Sequence, residues 1–259
     1  MLLIQGLGYP AEAWWRLVPD LGQHFRLIAM DNRGAGSSPV PQRPFAIADL
    51  ADDAAAVLQA AGETSAHVFG ASLGGLVAQE LALRHPHLLR SLTIGCSSPG
   101  GPDAIQSEAA ALGFLQERAR LTPREAAEAS IPLVYADETP RELVLEDIER
   151  RMRQPTSGSG YQAQLTAVLT YPGSLARLGS ITVPTLILHG TLDRLIPPAN
   201  ASLLAEHVPG ATLRWLEGAG HVFTTDAREE TVRHVVEFAT QAEAAWTAQP
   251  DRVSGNAGG

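Results

Sequence analysis

Short apolar runs alternate with longer helical stretches along most of this 259-residue chain, and that alternation limits the folds open to it. Met1 to Gln5, Phe25 to Met30, Ala66 to Gly70 and Ser91 to Gly95 read as strands, while Ala11 to Gly22, Phe45 to Ala61 and the stretch after Ser72 read as helices. Parallel strands need a crossover long enough to hold a helix, so the pattern predicts an α/β fold, a mainly parallel sheet with helices on both faces. The pattern resumes with a strand at Pro184 to Leu188, a helix at Ala199 to His207, a strand at Ala211 to Leu216 and a long helix from Asp226 to Trp246. No internal repeat is visible.

Between Pro99 and Ser180 the alternation fails: Asp103 to Arg120, Pro123 to Ser130, Pro140 to Arg153 and Tyr161 to Leu169 all read as helices, with no strand among them. Thr122-Pro123-Arg124-Glu125 and Thr139-Pro140-Arg141-Glu142 each present an N-cap, a first-turn proline and a capping-box acid, the signals of two separate helix starts. Leu143, Ile148 and Met152 form an apolar stripe expected to pack on the core, and Gln154 to Gly160 reads as a flexible connection. The expected division is a core of 1–98 and 181–247, an inserted helical lid over 99–180, and a tail at 248–259 too poor in apolar residues to fold.

The chain carries 19 basic and 28 acidic residues, a net charge of -9, which argues against sequence-independent nucleic-acid binding and against docking on anionic membranes. Met1-Leu2-Leu3-Ile4 lacks a basic leader and a long apolar continuation, so it reads as a strand, neither signal peptide nor anchor. The single cysteine, Cys96, cannot form an internal bridge and reads as a buried thiol, which fits a reduced, cytoplasmic setting. Nothing in the pattern calls for a metal or a cofactor.

Gly70-Ala71-Ser72-Leu73-Gly74 lies between an expected strand and an expected helix, placing Ser72 at the apex of a tight turn whose glycines permit close approach. A serine hydroxyl is a weak nucleophile and needs a base and a group to orient that base. Of eight histidines, His221 follows Gly218-Ala219-Gly220 just past the last expected strand, where a loop brings an imidazole over the sheet's end. His67 lies within a strand, His85 and His87 flank Pro86, and His189 reads as a structural turn residue. Asp193, after the strand ending at His189, is the candidate acid. Glu217 is too close to His221 in sequence to face it, and Asp31 reads as a local partner of backbone or Arg33.

Five segments together resemble the α/β-hydrolase superfamily, in its small, lid-bearing esterase, lactonase and haloperoxidase-like branch. They are Gln5-Gly6-Leu7-Gly8, Asp31 to Ser38, Gly70 to Gly75, Leu188 to Asp193 and Gly218 to His221, and they span nearly the whole chain. The resemblance implies Ser72, Asp193 and His221 as a catalytic triad, in the family's chain order, with backbone N–H groups of Leu7 and Leu73 as the oxyanion hole. The reaction it implies is hydrolysis of a small-molecule carboxylic ester or lactone through an acyl-enzyme. A carbon–carbon bond hydrolase, a thioesterase, a perhydrolase and a noncatalytic ligand-binding relative are the alternatives. Trp14 and Tyr135 are the candidate substrate contacts; core packing competes for Trp14 and Trp15, and Leu133 and Val134 are equally open.

Two departures from the family stand out. Gln5 occupies the position where the family usually carries histidine, and an amide there is expected to hold the loop by altered hydrogen bonds. The two strands that usually precede Met1 are absent, which leaves about six parallel strands with Phe25 to Met30 as an open edge. A late start of the recorded sequence, or a covering partner as in a homodimer, accounts for that edge.

Overall fold

Six parallel strands form the centre of the molecule, as the alternation predicts, in a computed structural model that describes residues 1–248. In chain order β1 is Leu2–Ile4, α1 Val18–Leu21, β2 Ile28–Met30, α2 Ile47–Ala60, β3 Ala66–Ala71, α3 Leu73–Arg84 and β4 Leu89–Gly95. Then come α4 Ala109–Glu117, α5 Pro123–Val134, α6 Arg141–Arg151, α7 Gly158–Leu169, β5 Thr185–Gly190, α8 Ala199–His207, β6 Thr212–Leu216, α9 Phe223–Asp226 and α10 Arg228–Thr247. The strand order is β2-β1-β3-β4-β5-β6, and every pairing is parallel.

Successive residues of a strand face opposite sides, and this places both cores. Leu2, Ile4, Val68 and Ile187 pack under α2, α3 and α8, whereas Leu3, Phe69, Leu186 and Leu188 pack under α1 and α10. β1, β3, β4 and β5 are buried almost throughout, as central parallel strands are, although β4 carries Arg90, Ser91 and Thr93 among its apolar residues. β2 and β6, at the edges, are only half-buried. The chain reverses its direction of growth across the sheet between β1 and β3, so the crevice at their carboxyl ends is a topological switch point.

Several local expectations change. Ala11 to Gly22 is not one helix: a 3₁₀ turn at Ala11–Trp14 gives way to α1, where Pro19 occupies the first turn. Thr122 caps α5, accepting from the Glu125 N–H at 3.3 Å while Glu125 accepts from the Thr122 N–H at 2.9 Å. α6 lacks the second capping box, because the Thr139 hydroxyl donates instead to Asp226 Oδ1 at 2.7 Å. Gly158 to Gly160, expected in a flexible connection, form the first turn of α7, capped by Ser157 Oγ accepting from the Gly160 N–H at 3.1 Å. Ile148 and Met152 join Val144 and Tyr135 in a separate apolar cluster rather than packing on the sheet. The tail expected to be unfolded lies, from residue 249 onward, outside the described residues.

Candidate active site

Ser72 follows β3 and precedes α3 with φ 56° and ψ -119°, a left-handed conformation that costs a non-glycine residue on the order of 1–3 kcal/mol. The turn is held from outside: the Ser72 N–H donates to Gly95 O at 2.8 Å, and Ser97 Oγ donates to Ser72 O at 2.7 Å. The flanking glycines make the turn sterically feasible. A Cβ on Gly70 would collide with the carbonyl of Gly74, and one on Gly74 with the carbonyl of Ile4.

The loop after β1 lies against this turn, with the Cβ position of Gly6 only 3.1 Å from Ser72 Cβ. Gln5 Oε1 accepts from the Gly6 N–H at 2.9 Å, and Gln164 Oε1, from α7, accepts from the Gly8 N–H at 2.8 Å. The Leu7 N–H between them has no partner among the described residues. The Leu73 N–H is the first of α3, in the turn whose donors lack intrahelical acceptors. Leu7, Leu73, Ser72 and His221 all line one cavity of about 690 Å³, within the size range of small-molecule sites.

His221 Nδ1 lies 2.7 Å from Asp193 Oδ2. Asp193 is only 4 % exposed, and its other oxygen, Oδ1, accepts from the N–H groups of Leu195 at 2.9 Å and Ile196 at 2.8 Å. Burial opposes ionisation of Asp193, but the field of His221 and the bonds from His189 and His221 outweigh it and hold the carboxyl well below the usual range. No hydrogen bond joins Ser72 Oγ to His221 among the described residues, although both line the same cavity.

The remaining candidates fall as follows. Asp31 accepts from the N–H groups of Ala11 at 2.6 Å and Ser37 at 2.8 Å, a backbone clamp, while Arg33 pairs with Asp53 instead. Glu217 is exposed on the turn after β6. Cys96 is fully buried, its thiol pushed up chiefly by desolvation, which removes it as a nucleophile. Tyr135 lines the cavity and donates to Asp147 Oδ2 at 3.2 Å. Trp14 does not line it: at 0 % exposure it packs on Phe69 with ring centroids 4.9 Å apart, and the neighbouring Trp15 faces the cavity instead. The 3₁₀ turn sends consecutive side chains in different directions, one to the core and one to the cleft.

Two contributors, Gln164 and Asp226, carry no motif, and a third, His189, lies within one but does more than turn the chain. Gln164 braces the first loop, with its amide nitrogen also donating to Arg33 O at 3.0 Å. Asp226 ties the His221 loop to the helical insertion by accepting from the N–H groups of Gly220 at 2.8 Å and Ala136 at 3.1 Å. His189, beyond its turn role, places Nε2 3.2 Å from Asp193 Oδ2. Cys96, His189 and Asp193 bring three metal-capable atoms within 4.8 Å of one another, yet the carboxylate is already filled by its N–H and imidazole partners. The cluster therefore serves as the footing of the site.

A strained serine turn after β3, an acid after β5 and a histidine after β6 are the arrangement of an α/β-hydrolase. Residues 1–226 match the family model for the alpha/beta hydrolase fold, and the chain belongs to that family. Among curated proteins it is 32% identical over 237 residues to "Putative carbamate hydrolase RutD" of Azorhizobium caulinodans, covering 86% of this chain and 84% of that one. It is 30% identical over 228 residues to the pimeloyl-[acyl-carrier protein] methyl ester esterase of Aeromonas hydrophila, covering 85% and 87%. Among solved structures, the enol-lactonase from Burkholderia xenovorans LB400 superposes with a TM-score of 0.81 at 27% identity, covering 92% of this chain and 90% of that one.

Proposed function

We propose that the protein is a serine hydrolase of carboxylic esters or lactones. The observation that carries the reading is the 2.7 Å contact from Asp193 Oδ2 to His221 Nδ1, which orients an imidazole whose Nε2 has no hydrogen-bond partner among the described residues, in a cavity shared with a strained Ser72. In this reading His221 removes the Ser72 proton as Oγ attacks the carbonyl carbon, and the Leu7 and Leu73 N–H groups receive the developing oxyanion. Asp193 stabilises the imidazolium, His221 returns the proton to the leaving alcohol, and water then resolves the acyl-enzyme by the same route in reverse.

Relatives named for carbamate, methyl ester and enol-lactone hydrolysis support attack at an acyl carbon. A serine at the turn also lacks the carboxylate that alkyl-enzyme chemistry requires. The helices from α4 to α7 act in this proposal as a lid, since Leu112, Leu115, Leu165 and Leu169 form one wall of the cavity. The test is a panel of esters and lactones graded in acyl and alcohol size, run beside Ser72→Ala. Turnover that falls by about 10⁴ or more in the variant supports the assignment, and retained turnover sinks it.

A further inference from the structure

Two arginines line the cavity beside the first loop with no acid to balance them. Arg151, the last residue of α6, is 6 % exposed; Arg118, just past α4, is partly buried. Among the described residues neither forms an ion pair, unlike Arg16, Arg150 and Arg177, which pair with Asp147, Glu12 and Glu80. Their partners are neutral. Arg151 Nη1 donates to Tyr9 Oη at 2.9 Å, and its guanidinium carbon lies 3.7 Å from the Tyr9 ring centroid. Arg118 Nη1 donates to Leu7 O at 3.3 Å, with its guanidinium carbon 4.4 Å from the Tyr161 ring centroid.

Cations withdrawn from water are ordinarily paired, and aromatic faces offset only part of the cost. Desolvation, and then the like charge of Arg151, lower the Arg118 pKa from its ordinary value. Among the described residues the one acid lining the cavity, Asp147, is already engaged by Arg16 Nε at 2.8 Å, Trp15 Nε1 at 3.1 Å and Thr225 Oγ1 at 2.6 Å. A protein of net charge -9 thus keeps two positive charges without an ion-pair partner among the described residues in the cavity that also holds its candidate nucleophile. Each guanidinium offers five N–H donors in a planar fork that fits a carboxylate, and only a minority of those donors are engaged.

Building on the serine-hydrolase reading, we propose that Arg118 and Arg151 bind a carboxylate carried by the substrate, making the substrate an anionic ester or lactone such as a half-ester of a short dicarboxylic acid. Because Arg118 bonds the carbonyl of Leu7, whose own N–H faces the reacting oxygen in that reading, the bound carboxylate sits close to the scissile bond. The pair is a specificity element: it selects the acid-bearing substrate and sets its register against Ser72.

The experiment compares kcat/KM for monoethyl adipate and diethyl adipate in wild type, Arg151→Met and Arg118→Met, each checked by thermal melting. The half-ester to diester ratio is expected to fall at least tenfold in each folded variant, chiefly through KM. Calorimetry of adipate binding to Ser72→Ala, which keeps both arginines, supplies an arm that needs neither turnover nor an arginine variant. Adipate is expected to bind while neutral adipamide does not. A ratio unchanged in the variants, adipamide binding as well as adipate, or inorganic phosphate binding more tightly than adipate overturns the proposal. Hydrolysis of diethyl adipate with an unmoved ratio defeats the carboxylate site alone, whereas adipate binding without any ester turnover defeats the hydrolase reading and leaves the site standing.

Discussion

Asp193 shares a single carboxylate oxygen between two imidazoles: Oδ2 lies 2.7 Å from His221 Nδ1 and 3.2 Å from His189 Nε2. With Oδ1 taken by two backbone N–H groups, the carboxylate is fully satisfied although buried, and its orientation is set from four sides. Asp193→Asn keeps the shape but substitutes an amide that stabilises no imidazolium and favours the wrong tautomer. We expect kcat on a neutral ester to fall by about 10⁴ with the far-UV spectrum unchanged. A loss under tenfold would remove Asp193 from the machinery.

Gly74 is the point where α3 starts against β1. A Cβ there meets the carbonyl of Ile4 and approaches that of Gln5 at 2.9 Å, both backbone atoms that cannot rotate away. Gly74→Ala is therefore expected to push the helix start from the first loop, lowering kcat/KM by at least tenfold and Tm by several degrees. Wild-type values for both quantities would show that the close approach has no such role.

Phe69 on β3 is fully buried between Trp14, at a centroid distance of 4.9 Å, and Phe223, at 6.3 Å. Because Phe223 begins the short helix after the His221 loop, this stack joins the core to the site. Phe69→Ala should cost about 3–5 kcal/mol in urea unfolding, the usual range for an aromatic cavity. A cost below about 1 kcal/mol would mean that Trp14 and Phe223 close the gap.

His67 on β3 titrates far from the site and sets part of the acid limb of stability. Burial pushes it down to about 4 from an ordinary 6.5, with Glu243 opposing and the Met1 amine and Arg90 adding to the shift. Above about pH 6.5 neither the folded nor the unfolded chain protonates it. Between 6.5 and 4 the unfolded chain takes up a proton that the folded chain refuses, so stability falls as pH drops through that window. His67→Gln, which can retain the bond to Ser91 Oγ, is expected to flatten the fall in urea midpoint over that interval. An identical slope in both proteins would contradict it.

The sheet was legible because β1, β3 and β5 are short, largely apolar runs separated by helical stretches, while β4, interrupted by Arg90, Ser91 and Thr93, is marked by its place in that alternation. The Ser72 turn was legible because its glycines are demanded by backbone collisions that almost no other residue survives. Trp14 was misassigned because two adjacent tryptophans share one composition, and only the 3₁₀ turn decides which enters the core. Thr139 was misread for a related reason: a capping pattern is local, and a buried carboxylate from Asp226, distant in sequence, takes the hydroxyl instead. Arg118, Arg151 and Gln164 sent no signal at all, since only the fold brings the segments that carry them against the first loop.

The central claim is that Ser72 is a nucleophile activated by His221, and intact-protein mass spectrometry after treatment with a fluorophosphonate tests it most directly. We predict one adduct per chain, mapped to Ser72, absent in Ser72→Ala and slowed by at least about a thousandfold in His221→Ala. Folded wild-type protein that takes up no adduct, or one that maps elsewhere, contradicts it.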